Sequence, residues 1–115
     1  MMEKKWTVYI LECSDGTLYT GITDDLLRRL KAHREGRGAK YTRGRGPLTL
    51  RYREEAADKG AALKREHAIK RMHRREKLAI IAENEKETKS WLAFCGDRDY
   101  TKGNTGRGAP LAGEE

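Results

Sequence analysis

Two tyrosines, an arginine and a histidine follow one another closely near the start of this chain. Tyr9 and Tyr19 lie in two short segments rich in strand-forming residues, and Arg29 and His33 lie four residues apart in the basic segment that follows. Guanidinium groups bind phosphate through paired hydrogen bonds, and phenol and imidazole groups transfer protons. Tyrosine also favours strands for structural reasons alone, and Arg29 and His33 could simply border a core. As a set, however, the four residues favour phosphodiester chemistry.

The two tyrosine segments are predicted to form a hairpin. In Trp6–Glu12, alternation puts Trp6, Val8 and Ile10 on one face and Thr7, Tyr9 and Leu11 on the other. Ser14-Asp15-Gly16-Thr17 is a turn signal, and Leu18–Thr23 returns as the second strand.

The length of the turn decides whether the tyrosines share a face. A three-residue loop pairs Cys13 with Thr17 and makes Tyr9 and Tyr19 diagonal neighbours. A two-residue Asp-Gly turn changes the parity and separates them. The Asp-Gly signal slightly favours the second arrangement, so local sequence leaves both open.

Helices and one more strand are expected after the hairpin. The first helix, capped by Thr23 or Asp24, carries Arg29 and His33 on one face. Leu48–Arg53 alternates Leu48, Leu50 and Tyr52 against Thr49, Arg51 and Arg53, which predicts a third strand. Two further helices are expected at Ala61–Met72, entered through Asp58 or Gly60, and at about Arg75–Glu87. The order β-β-α-β-α-α predicts an α/β (α+β) domain whose small three-stranded, at least partly antiparallel sheet is flanked by helices.

One domain fits in the 115 residues. We expect it to occupy residues 1–89, with residues 90–115 as a mostly disordered tail, because Gly96–Glu115 holds five glycines and few apolar groups. Cys13 and Cys95 form no Cys-x-x-Cys pair and no zinc pattern, and free thiols suit a cytoplasmic location. No apolar run is long enough to span a membrane.

Positive charge is concentrated in one segment. The formal net charge is +7, and ten Lys or Arg residues but only one acid, Glu35, lie between Arg28 and Arg53. Clustered positive charge is the electrostatic footprint of a nucleic-acid-binding protein. The candidate nucleic-acid-binding residues are Arg28, Lys31, Arg37, Lys40, Tyr41, Arg43 and Arg45.

A glutamate interrupts the apolar stripe of the second predicted helix. Ala62, Glu66, Ile69 and His73 share one helical face. A carboxylate in a buried stripe is costly unless it is paired or bound to a metal. A salt bridge and a functional role are equally good explanations at this stage.

The order of these residues resembles the GIY-YIG nuclease domain, and most closely its short stand-alone members. The two motifs stand as Thr7-Val8-Tyr9 and Tyr19-Thr20-Gly21, and the resemblance covers about Lys5 to Ile81. The family arginine and helical histidine fall at Arg29 and His33, and the late glutamate falls at Glu66. Thr7 replaces the first glycine of the first motif, and Ile22 stands where excision-repair relatives have a lysine.

The resemblance implies a metal-dependent DNA endonuclease acting in repair or recombination. It implies that Glu66 binds one divalent ion, Mg²⁺ or Mn²⁺, and that Tyr9 activates water as a phenolate favoured by neighbouring cations. Arg29 would neutralise the phosphate, with Tyr19 and His33 positioning water and phosphate. The expected partner is DNA, with branched, single-stranded or nicked forms as candidates. Because no extra specificity domain fits in this chain, either such a DNA structure is recognised, or a homodimer or a partner protein supplies the specificity.

Two other functions fit the same sequence. The basic 28–53 segment would bind nucleic acid without any catalysis, because phosphate neutralisation needs no chemistry. A weaker alternative is an adaptor that recruits a partner through residues 86–94 and the tail.

Overall fold

Three strands form one antiparallel sheet with the strand that carries Tyr9 in the centre. The structure is a computed structural model that describes residues 5–38 and 46–95. The strands are β1 (Trp6–Glu12), β2 (Leu18–Thr23) and β3 (Thr49–Ala56), in the spatial order β2-β1-β3. Both neighbours run antiparallel to β1, so the predicted fold class is confirmed.

Four helices cover the sheet: α1 (Leu26–Arg34), α2 (Lys59–Lys70), α3 (Arg74–Glu83) and α4 (Glu85–Cys95). Asp25 caps α1 by accepting a hydrogen bond from the Arg28 amide, one residue later than the expected cap. Asp58 caps α2, so of the two predicted entry residues, Asp58 and Gly60, the first is the one observed. None of these helices within the described residues is long and apolar enough to cross a bilayer.

The two faces of the sheet carry separate cores. One core combines Tyr9 and Leu11 of β1 with residues of α1 and α4 (Leu26, Leu30 and Leu92). The other combines Val8 and Ile10 with residues of α2 and α3 (Ala62, Ile69 and Ile81). The alternation predicted for β1 is therefore confirmed, and α1 and α2 lie on opposite faces of the sheet.

The third strand differs from its predicted alternation. Ile10 pairs with Tyr52 but Leu11 pairs with Leu50, so Arg51 is an extra residue at a register shift. Such a bulge turns the following side chains to the other face. Leu50 therefore lies in the Tyr9 core, whereas Tyr52 lies in the Val8 core. The prediction that Leu50 and Tyr52 share a face was wrong.

The last predicted helix, Arg75–Glu87, is two helices. Asn84 ends α3, and its backbone N–H bonds to the carbonyls of Ile80 and Ile81. The break is needed because Ile81 packs on one face of the sheet and Leu92 packs on the other. A straight helix could not bury both residues.

The folded unit extends beyond its expected boundary. Leu92 is 2 % exposed and lies in the Tyr9 core, so the limit placed at residue 89 falls inside α4. The signal was the apolar run Trp91-Leu92-Ala93-Phe94, which the glycine-rich composition that follows it obscured. The predicted disorder of residues 96–115 lies outside the described residues.

Candidate active site

The hairpin turn brings the two tyrosines onto one face. The Cys13 amide donates to the Thr17 carbonyl at 2.8 Å, which closes a three-residue loop whose Gly16 has a φ of +87°. Leu11 then pairs with Tyr19, which makes Tyr9 and Tyr19 diagonal neighbours with ring centroids 6.3 Å apart. Of the two open alternatives, the three-residue loop is the one observed.

Gly21 provides the space that the two rings need. It pairs with Tyr9 across the strands, and a Cβ added to it would lie 2.7 Å from the Tyr9 hydroxyl oxygen and 3.1 Å from Cε2 of Tyr19. Any larger residue would displace both rings. The last position of the second motif is therefore a glycine for a steric reason.

Helix α1 supplies the other two groups. Its Leu26 and Leu30 are buried against the sheet, which directs Arg29 and His33 towards Tyr9. The Tyr9 hydroxyl lies 2.8 Å from Nε2 of His33, and Nε of Arg29 donates to the same hydroxyl at 3.4 Å. The His33 ring also lies edge-on to Tyr19, with centroids 5.6 Å apart. The four residues predicted at the start of the chain thus form one cluster.

Burial keeps Tyr9 protonated. It raises the pKa of Tyr9 to about 12, against the opposing effect of the hydrogen bond from Arg29. The negative charge of Glu66 acts in the same direction as burial. Arg29 alone does not favour the expected Tyr9 phenolate, because desolvation outweighs the single guanidinium; that a bound metal ion favours it stays a prediction.

Burial also keeps His33 neutral. Desolvation, followed by the charge of Arg29, lowers the pKa of His33 to about 4. Arg29 can only donate to the Tyr9 oxygen, and the neutral imidazole can accept the phenol proton at Nε2 in the tautomer that carries its own proton on Nδ1. The bonds to Tyr9 raise the pKa of Arg29, so the guanidinium stays charged. The cluster is a neutral donor–acceptor pair beside one fixed positive charge.

Glu66 approaches this cluster from α2. Its side chain is 14 % exposed, its charge contributes to the raised pKa of Tyr9, and Nζ of Lys70 lies 3.2 Å from Oε2. Ala62 and Ile69 are buried on the same helical face, as predicted. His73 is exposed and caps α3 instead, because α2 ends at Lys70.

Among the described residues, Glu66 is the candidate metal ligand. Over residues 5–38 and 46–95, no three His, Cys, Asp or Glu side chains converge as a ligand set. Mg²⁺ commonly binds one or two carboxylates and completes its octahedron with water and substrate phosphate oxygens. The half-buried Glu66 fits that mode, and its Lys70 partner is 53 % exposed and free to move aside. An ion held entirely by protein ligands does not fit.

The candidate nucleic-acid-binding residues are only partly described. Arg28 and Lys31 lie exposed on α1, and Arg37 lies just beyond it. Arg28 pairs with Asp24 and Asp25, and Arg37 pairs with Glu35. The other four candidates lie outside the described residues: Lys40, Tyr41, Arg43 and Arg45.

Two features of the site escaped prediction. A Cβ added to Gly38 would lie 2.3 Å from Nδ1 of His33, so the start of the basic loop rests on the imidazole. The pair of glycines Gly36 and Gly38 was the only signal. Arg53, 7 % exposed, pairs directly with Tyr9 across the strands. The bulge that puts it there has no local signature.

A family comparison accounts for this arrangement. Residues 5–79 match the model of the GIY-YIG catalytic domain. The chain belongs to the GIY-YIG family. This is a family of nucleases that act on DNA, and the residues matched include Tyr9, Gly21, Arg29, His33 and Glu66.

Similar GIY-YIG proteins occur in bacteria and archaea. A UPF0213 protein of Streptococcus sanguinis is 54% identical over 82 residues, covering 71% of this chain and 94% of the relative. A UPF0213 protein of Halobacterium salinarum is 53% identical over 74 residues, covering 64% and 96%. The solution NMR structure of a UPF0213 protein from Bacillus halodurans is 44% identical, covers 70% of this chain and 86% of that one, and has a TM-score of 0.49.

Proposed function

We propose that this protein is a metal-dependent endonuclease that hydrolyses DNA phosphodiester bonds in repair or recombination. The observation that carries the proposal is the convergence of Tyr9, His33 and Arg29 within hydrogen-bonding distance, together with a Glu66 carboxylate whose charge acts on Tyr9. A phosphate-binding cation, a proton-transfer pair and an anionic metal ligand are the parts that such a hydrolysis needs.

Arg29 binds the scissile phosphate in this proposal. Its guanidinium keeps its charge and lies beside the hydroxyl that faces the attacking water. Charge-assisted hydrogen bonds from a partly desolvated guanidinium stabilise the developing charge of the transition state. Tyr19, edge-on to His33, limits the space in which the water can lie.

Tyr9 and His33 move the proton together. With a pKa of about 12, roughly one Tyr9 in 10⁵ is a phenolate at pH 7, which is too few for an efficient free base. The hydroxyl can take a proton from water if it passes its own proton to Nε2 of His33, 2.8 Å away. Arg29 lowers the basicity of His33. A bound phosphodiester anion offsets that charge and makes His33 a better acceptor only when substrate is present.

Glu66 would hold a divalent ion, which when bound supplies positive charge for the departing 3′ oxygen. Lys70, the i,i+4 partner of Glu66, is itself exposed, so its ammonium group regains water when it leaves the carboxylate. Moving it aside therefore costs little. One site breaks one strand, so cleavage of a duplex needs a second copy of the chain or a second binding event.

The test is nicking of supercoiled, branched and single-stranded DNA in Mg²⁺ or Mn²⁺. Tyr9→Phe removes only the hydroxyl and should lower the rate by about 10²–10⁴-fold, the range for general acid–base groups. Tyr52→Phe is the matched control, because Tyr52 is also a buried strand tyrosine but lies on the other face. Glu66→Gln should abolish metal-dependent cleavage, with the exposed Glu83→Gln as its control.

The alternative is a binding module with no catalysis, and the Lys70–Glu66 ion pair favours it, since a neutralised carboxylate need not bind a metal. In that case all five proteins would bind DNA equally and none would nick it. Nicking that persists unchanged in both Tyr9→Phe and Glu66→Gln would refute the assignment of the site.

A further inference from the structure

A second basic surface lies on the side of the sheet opposite α1. Residues 64–77 carry seven Lys or Arg and two Glu, a net charge of +5. The segment from Arg28 to Arg53 carries +9, and the rest of the chain sums to −7. From Glu54 onward the numbers of acidic and basic residues nearly balance, so the net charge of that half as a whole does not reveal this surface.

Both acids of this segment are already engaged. Glu66 pairs with Lys70, and Glu76 accepts a hydrogen bond from the His73 amide at 2.7 Å. Four basic side chains make no ion pair with any described residue, and the first three of them are exposed: Lys64, Arg71, Arg75 and Lys77. The surface therefore keeps its excess of positive charge.

Solvation and helix stability do not account for this excess. On α4, Glu85, Lys86, Glu87 and Lys89 interleave the two signs, which is the ordinary pattern of a solvated helix. On α3, by contrast, Arg74 and Arg75 stand in the first turn. There the helix dipole disfavours a cation by about 0.3–1 kcal/mol.

The surface is held in a fixed relation to the active site. Glu66 lies on α2, the same helix that carries Lys64 and has Arg71 as its C-cap. Nη1 of Arg74 donates to the Gly16 carbonyl at 2.9 Å, which ties the start of α3 to the turn between the two tyrosine strands.

We propose that the exposed basic residues of α2 and α3, Lys64, Arg71 and Arg75, form a second DNA-backbone-binding surface. It holds the duplex on the α2 side of the active site, while the basic residues of α1 hold the DNA on the other side. This inference rests on the proposed function, because it places the scissile phosphate at Arg29. It assigns the partner as duplex DNA bound through its phosphates, with no base contacts.

The test measures binding to a fluorescently labelled 20-base-pair duplex by anisotropy, in EDTA, across a range of salt concentrations. Each phosphate contact contributes about 0.9 to the slope of log K against log salt. The double variant Arg71→Gln/Arg75→Gln should flatten the slope by about 1.8 and weaken binding about 60-fold at 0.1 M salt. The single variant Arg75→Gln should give about half of that change in slope.

The matched control is Lys86→Gln/Lys89→Gln on α4, which removes the same charge from the surface with interleaved signs. It should leave the slope unchanged. Equal changes of slope in the two double variants would mean that net charge alone sets the binding, and would overturn the proposal. An unchanged slope in both Arg71→Gln/Arg75→Gln and Arg75→Gln would also overturn it. Because EDTA prevents cleavage, the binding result is independent of catalysis. A nuclease without this surface would nick DNA but show no change in slope, whereas a binding module with this surface would show the change in slope but no nicking.

Discussion

The neutral, buried His33 predicts a pH dependence of stability that one substitution should remove. His33 is 3 % exposed, and its pKa falls from 6.5 to about 4 in the folded protein. The unfolded chain therefore binds more protons than the native protein between those values. The contribution of His33 to the free energy of unfolding is fully present above pH 6.5 and is lost as the pH falls towards 4.

The size of the effect follows from the pKa change. One pKa unit corresponds to about 1.4 kcal/mol, so protonating native His33 costs about 3 kcal/mol. Exposed carboxylates such as Glu35 add a pH dependence of their own at the acid end, because the hydrogen bond from Arg37 lowers the pKa of Glu35 in the folded protein. They contribute equally to a variant that lacks only the imidazole.

The assay is urea unfolding of wild type and His33→Gln from pH 4 to 7.5. Glutamine keeps a hydrogen-bond acceptor for Tyr9 but does not titrate. Any packing loss offsets the two curves by a constant. The difference between them should change by about 3 kcal/mol from pH 6.5 to 4. Arg29 is the second cause, after desolvation, of the lowered pKa of His33. Arg29→Gln should therefore raise that pKa and shorten, at its acid end, the pH range over which stability changes.

A flat difference between the wild-type and His33→Gln curves would refute the reasoning. It would mean that His33 is solvated in the native protein and titrates as it does in the unfolded chain. The hydrogen bond to Tyr9 would then not be the neutral donor–acceptor pair on which the proposed proton transfer depends.

Two further substitutions test the packing that builds the site. Gly21→Ala should destabilise the protein by about 1–3 kcal/mol and abolish cleavage, because the new methyl group overlaps Tyr9. Its control is Gly60→Ala, which has only Asp58 near its Cβ and should be neutral or stabilising. Leu92→Ala should cost about 2–5 kcal/mol in urea unfolding. Phe94→Ala, at a residue 88 % exposed, should cost almost nothing. Equal small effects at Leu92 and Phe94 would show that α4 is not part of the folded core.

The core elements followed from local sequence because each had a pattern of its own. Alternation over Trp6–Glu12 is confirmed, and so are the order of the first six elements, the Asp58 cap and the burial of Ala62 and Ile69. The break at Asn84 could not be predicted in this way. It depends on which face of the sheet buries each apolar residue, and that is a property of the whole fold.

The site was predicted as a set of residues but not as an arrangement. The residue types at Tyr9, Arg29 and His33 indicated phosphate chemistry, and the family resemblance added Glu66. The sequence left open whether the tyrosines share a face, and it did not report that burial raises the pKa of Tyr9. A pKa depends on how much water the folded chain removes, which no spacing of residues reports.

The amino-acid sequence by itself determined the family, the strands, the Asp58 cap of α2 and the identities of the groups that could act on a phosphodiester. Only the tertiary structure decided the three-residue turn, the bulge beside Arg51, the position of α4 and the protonation of Tyr9 and His33. The reason is physical. Propensities and periodicities act between neighbours along the chain, whereas register, burial and charge are set by residues that meet only after the chain has folded.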